Sequence, residues 1–91
     1  MTVYSLIVDE LFKTKSLAAL VYLINNGREL EFLFDEKECF ISKSGSKKYV
    51  SLWVEGVEQS FDSVEQLIAN AVIDEKSFLF IWDEIEIQYL F

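Results

Sequence analysis

The stretch Glu29-Leu30-Glu31-Phe32-Leu33-Phe34-Asp35 decides the fold. Leu30, Phe32 and Phe34 recur at every second position, with Glu29, Glu31 and Asp35 out of phase, which is the period of a half-buried antiparallel strand. Asp35-Glu36-Lys37 can turn the chain into a second strand over residues 38–42, with Cys39 and Ile41 on one face. Ser44-Gly45-Ser46 reads as a loop. A third strand spans 48–54, with Val50, Leu52 and Val54 inward and Tyr49, Ser51 and Trp53 on the other face. Glu55-Gly56 turns it into a short fourth strand over 57–61. Consecutive strands joined by short turns form an antiparallel meander.

Upstream, residues 2–12 fit a helix with Tyr4, Ile7, Val8, Leu11 and Phe12 on one stripe, although Val3, Ile7 and Val8 also permit a strand. Ser16 is placed to cap a second helix over 17–25, which Asn25-Asn26-Gly27 ends. One bent helix over 3–25 is the alternative. Downstream, Ser63-Val64-Glu65-Gln66 has the form of a capping box. Val64, Leu67, Ile68, Ala71 and Val72 then fall at helical spacing, so the pattern predicts a helix over 63–73. In the tail, Phe78, Ile81, Trp82 and Ile85 suit a short helix. Ile85, Ile87, Tyr89 and Phe91 alternate with Glu84, Glu86 and Gln88 as a strand would. The expectation is a helical turn over 77–82 and a last strand or extended segment from about Glu84.

The fold class is therefore α+β in a single domain, 1–91. It has an amino-terminal helix or helices, a three- to four-stranded antiparallel meander, a capped helix, and a carboxy-terminal short helix or strand. With 52% hydrophobic residues in 91, disorder is excluded as a description of the whole chain. Aromatic residues are numerous for so small an interior, and some are expected on a surface that meets a partner or a second copy.

A group of segments resembles short uncharacterised proteins of low-GC Gram-positive bacteria and their mobile elements. They are Asn26-Gly27-Arg28-Glu29-Leu30-Glu31-Phe32, Ser60-Phe61-Asp62-Ser63 running into Gln66-Leu67-Ile68, Ile73-Asp74, Lys76-Ser77 and Ile81-Trp82-Asp83-Glu84-Ile85. The resemblance covers residues 26–88, and members often carry Gly where this chain has Glu75. It implies one compact bacterial domain and no particular chemistry.

Several reaction classes lack their parts. The chain has no histidine, which removes the commonest general base and metal ligand. Its one cysteine, Cys39, lies between Glu38 and Phe40, where a carboxylate and apolar burial both oppose the thiolate, so it reads as a structural cysteine. Gly27, Gly45 and Gly56 sit singly at turns, so no phosphate-binding loop exists. Asp74-Glu75 and Asp83-Glu84-x-Glu86 lack the Gly-centred loop of a calcium site. The expectation is a protein that is not an enzyme and carries neither cofactor nor metal.

A single cysteine, no secretory leader pattern and an apolar run (residues 17–24) far short of a membrane span point to a cytoplasmic location. Lys43, Lys47 and Lys48 near Tyr49 and Trp53 are too few, beside a net charge of −8, to hold nucleic acid directly.

The charge itself is segregated. Residues 55–91 carry nine carboxylates against Lys76 alone, whereas residues 1–54 are balanced at seven acids and seven bases. Such a field repels nucleic acid and favours a basic protein surface, for example that of a nuclease or another nucleic-acid-binding protein. Rows of carboxylates can occupy a nucleic-acid groove competitively, as a DNA mimic does. The expected contact set is Glu58, Asp62, Glu65, Asp74, Glu75, Asp83, Glu84 and Glu86. The expected role is that of an inhibitor, an immunity protein or a phage anti-defence (anti-CRISPR) factor. The alternative is a homodimer or assembly subunit joined through an apolar tail surface at Trp82 and Phe91.

Overall fold

The computed structural model describes residues 2–45 and 48–91. Helix α1 (Val3–Thr14) starts where the Thr2 side chain accepts from the Ser5 amide, 3.0 Å away, and it stops at Lys15, whose φ of 52° is left-handed. Ser16 caps α2 (Leu17–Asn25) by accepting from the Ala19 amide at 3.1 Å. The break at Lys15 decides for two helices over one bent helix. They run back along each other, and Tyr4 near the start of α1 meets Tyr22 near the end of α2 edge to face, with ring centroids 6.2 Å apart.

Strands β1 (Leu30–Phe34), β2 (Lys37–Lys43), β3 (Val50–Val54) and β4 (Val57–Phe61) form the expected meander. The loop before β3 includes Ser46 and Lys47, which lie outside the described residues, and β3 begins at Val50, two positions later than expected. The tail strand β7 (Glu86–Leu90) pairs antiparallel with β1, giving a five-stranded order β4-β3-β2-β1-β7. One residue near Gln88 is extra in that pairing, a bulge that keeps Ile87 and Leu90 against the core.

Helix α3 (Val64–Asn70) has the Ser63 cap, which accepts from the Gln66 amide at 3.0 Å. The reciprocal half of the box does not form, because Gln66 Oε1 instead accepts from the Asn70 amide group at 2.8 Å. The helix also ends earlier than its apolar stripe suggests. Ala71 is extended, and β5 (Val72–Ile73) and β6 (Lys76–Ser77) make a small hairpin, leaving Val72 44% exposed. A short helix α4 (Phe78–Ile81), capped by Ser77, and a 3₁₀ turn (Trp82–Glu84) lead into β7.

Helices α1–α4 each turn part of their apolar surface to a core on one face of the sheet, whereas Leu6, Phe12, Leu79 and Phe80 stay exposed, Phe12 against the stripe expected for it. Leu20, Leu23, Ile24, Val64, Leu67, Phe78 and Trp82 share a single core with Leu30, Phe32, Cys39, Ile41, Val50 and Leu52. Phe32 meets both Phe78 and Trp82 edge to face, at 6.3 and 6.5 Å, while Phe78 and Trp82 stack at 5.3 Å. Trp82 is therefore a core residue, only 3% exposed, and is not part of any apolar contact surface. The tail is tied down beside it. Trp82 Nε1 donates to the Lys15 carbonyl at 2.7 Å, and Lys15 Nζ donates to the carbonyls of Asp83 and Ile85 at 2.9 and 2.5 Å.

Three hairpins turn on two residues with positive φ: Asp35-Glu36 (50°, 65°), Glu55-Gly56 (48°, 81°) and Asp74-Glu75 (55°, 65°). This matches the type I′ turn, whose twist suits antiparallel strands and whose second position favours glycine. The side chains at Glu36 and Glu75 make the left-handed backbone costly. Glu75→Gly is expected to stabilise the fold by about 1 kcal/mol, raising the midpoint of thermal unfolding by roughly 4–8 °C. Glu36→Gly should do the same, and an unchanged midpoint in both would contradict the strain assigned to these turns.

Candidate functional site

The sheet face turned away from the helices is open. Strand register sets a row across it, Glu58–Trp53–Phe40–Glu31–Tyr89, in which each residue is the direct partner of the next. A second row follows one step toward the hairpin turns. Glu38 is opposite Leu33, Leu33 is opposite Glu86, and the Glu55 amide donates to the Glu38 carbonyl at 2.9 Å. Phe91 closes the aromatic strip, 6.2 Å from Phe40 and 6.1 Å from Tyr89. Trp53, Tyr89 and Phe91 are 37, 58 and 56% exposed.

Five carboxylates (Glu31, Glu38, Glu55, Glu58 and Glu86) thus border this strip. None of the outward positions of β1–β4 and β7 holds Lys or Arg. Ser51, buried at 3% on the same face, donates its hydroxyl to Glu58 Oε2 and so helps to orient that carboxylate. Between β1, β2 and the β3–β4 turn the face dips into a cleft of ≈ 350 Å³, lined by Glu31, Glu38, Phe40, Trp53, Glu55 and Gly56 above Cys39.

The contact set expected from sequence does not form one row. Glu58 and Glu86 lie on the open face. Asp74 and Glu75 form the β5–β6 turn, where Asp74 pairs with Lys37 and is partly neutralised. That hydrogen bond holds the Lys37 ammonium above its ordinary value. Glu84 lines a second cleft with Phe34, Asp35 and Lys76. Asp83 sits in the 3₁₀ turn, its carbonyl taken by Lys15. Asp62 and Glu65 open α3 at the other end of the sheet, beyond the Val50–Phe61 pair. The expected set lacks Glu31, Glu38, Phe40 and Trp53, although the alternation that places Leu30, Phe32 and Leu52 inward also turns these neighbours outward. It also lacks Glu55, a turn residue, and Tyr89, whose alternation puts it in phase with Ile85 and Ile87 and which reaches the open face only through the bulge at Gln88.

Cys39 is 1% exposed, and burial, assisted by Glu55, pushes its thiol up to about 11. The unfolded thiol ionises first, so the folded state binds more protons between its unfolded and folded values. Stability is then expected to fall as pH rises from about 9 to about 11, by at most about 1.4 kcal/mol per unit, and Cys39→Ala should lack this component. Urea denaturation at pH 8, 9 and 10 measures it. Rapid modification of the folded protein by a thiol reagent at pH 8 would contradict the burial.

Among the described residues no helix is long and apolar enough to cross a membrane, and no three His, Cys, Asp or Glu side chains converge as a metal site would require. No family model, curated protein or solved structure matches this chain.

Proposed function

We propose that this is a non-enzymatic binding protein that docks a carboxylate-bearing surface onto a basic protein surface, such as the nucleic-acid groove of a nuclease, and acts as an inhibitor, immunity or anti-defence factor. The observation that carries the reading is the open sheet face, where five carboxylates flank exposed aromatic rings and, among the described residues, no outward strand position holds Lys or Arg. Within a fold this small, leaving Trp53, Tyr89 and Phe91 in water forgoes apolar burial that another packed layer would give. Like-charged neighbours across strands also repel, so the surface is not arranged for the fold's own stability. A partner with clustered Lys and Arg relieves both costs.

The homodimer reading loses one of its two anchors, because Trp82 is in the core. Stacking two open faces would set Glu31, Glu38 and Glu58 of each copy against the same residues of the other, which disfavours a self-complementary interface at neutral pH.

The test is affinity capture from the native host, with the wild-type chain and with a variant carrying Glu31→Gln, Glu38→Gln, Glu58→Gln and Glu86→Gln. The expected result is retention of a basic protein at about 0.05 M salt, its release by about 0.5 M, and weak retention by the variant. Equal retention at both salt concentrations, or by both chains, would overturn the reading.

A further inference from the structure

We infer that the cleft beside the β3–β4 turn is a receptor for one arginine side chain of the basic partner, an assignment that rests on the function proposed above. Its walls combine two kinds of group that a guanidinium uses together. Three carboxylate-bearing residues, Glu31, Glu38 and Glu55, line it together with two aromatic ones, Phe40 and Trp53, which are direct partners across β2 and β3. A guanidinium is planar, weakly hydrated and able to donate to two carboxylate oxygens at once while stacking on a ring. A lysine ammonium is a strongly hydrated point charge that gains less from the rings.

The competing occupants fit poorly. An anion meets three carboxylates, and an apolar side chain would remove those carboxylates from water without pairing them. A second copy brings the same acidic face. The cation nearest in sequence, Lys37, points to the other side of β2 and is held by Asp74. Strand pairing fixes the backbone positions of Glu31, Glu38, Phe40 and Trp53, and the two-residue turn fixes that of Glu55, so only side chains have to be ordered on binding.

The two tryptophans provide the readout. Titration of the full chain with acetyl-Gly-Arg-Gly-amide, followed by two-dimensional ¹H–¹⁵N NMR, is expected to shift the Trp53 indole N–H in a saturating manner. The Trp82 indole, bonded to the Lys15 carbonyl inside the core, is expected to stay in place. Acetyl-Gly-Lys-Gly-amide should bind about three- to fivefold more weakly, and Trp53→Ala should weaken the arginine peptide by a similar factor, the size of a partly exposed cation–π contact. Trp53→Phe should restore most of that loss. Glu38→Gln and Glu55→Gln, both at exposed positions, should each weaken binding and reduce its salt dependence, which keeps the test decisive if the Trp53 variant folds poorly.

Equal binding of the two peptides together with no effect of Trp53→Ala would overturn the arginine site. So would shifts confined to residues outside the cleft. If the host partner is still captured in a salt-sensitive way, only this site falls and the binding reading stands. If capture is also salt-insensitive, both fall.

Discussion

Trp82→Ala is expected to cost about 3–5 kcal/mol, the range for deleting a large buried aromatic ring. A domain of this kind has only about 5–15 kcal/mol in total, so the variant should be largely unfolded at moderate urea concentrations where the wild type persists. The size of the effect comes from position. Trp82 is 3% exposed, stacks on Phe78 at 5.3 Å and meets Phe32 at 6.5 Å. Its indole N–H also satisfies the carbonyl of Lys15, whose ammonium in turn binds two carbonyls of the tail. Losing the ring loosens the α1–α2 junction and the start of β7 together. Trp82→Phe keeps most of the apolar contact but removes the donor, and about 1–2 kcal/mol is expected for the unpaired carbonyl. Urea denaturation of both variants checks this, and a Trp82→Ala chain as stable as wild type would mean that the tail is not anchored in the core.

The second large effect separates stability from association. A chain with Glu31→Gln, Glu38→Gln, Glu55→Gln and Glu58→Gln should be at least as stable as wild type, because Glu38 and Glu55 lie opposite each other and Glu31 and Glu58 add like charge to the same face. Glu58→Gln retains an oxygen for the Ser51 hydroxyl. The same chain should associate with the captured basic partner some 10- to 100-fold more slowly at low ionic strength, and the difference should shrink as salt rises. Urea denaturation and rapid-mixing kinetics on one preparation supply both numbers. A marked loss of stability would assign the carboxylates to the support of the fold, and an unchanged association rate would remove them from the interface.

Much of the architecture is legible in local pattern. Two-residue alternation places Leu30, Phe32, Phe34, Ile41 and Leu52 on one face, and the structure buries all five. Ser16 and Ser63 are N-caps as their positions suggest. What escapes a local reading depends on long-range partners. Trp82 sits in a short apolar run that is equally compatible with surface and core, and only the contact with Phe78 and the bond to Lys15, 67 residues away, settle it. The end of α3 is likewise not visible in local pattern, since Ala71 and Val72 continue the helical spacing, yet the Asp74-Glu75 turn pulls Val72 and Ile73 into a hairpin.

The charge asymmetry is the instructive case. Counted along the chain, the carboxylates belong to residues 55–91. Folding places Glu31 and Glu38, from the electrically balanced half, beside Glu55, Glu58 and Glu86 on the open face, and sends Asp62 and Glu65 to the far end of the sheet. Strand register, which alternation reveals only within each strand, decides which charges become neighbours.

The decisive measurement is a backbone ¹H–¹⁵N chemical-shift map of the chain titrated with the basic protein it captures. Shifts are expected to concentrate at Glu31, Glu38, Phe40, Trp53, Glu58 and Tyr89, with the Trp82 indole and the buried face of α2 unmoved. Shifts centred on α1 and α2, or on Asp62 and Glu65 at the start of α3, would contradict the open sheet face as the docking surface.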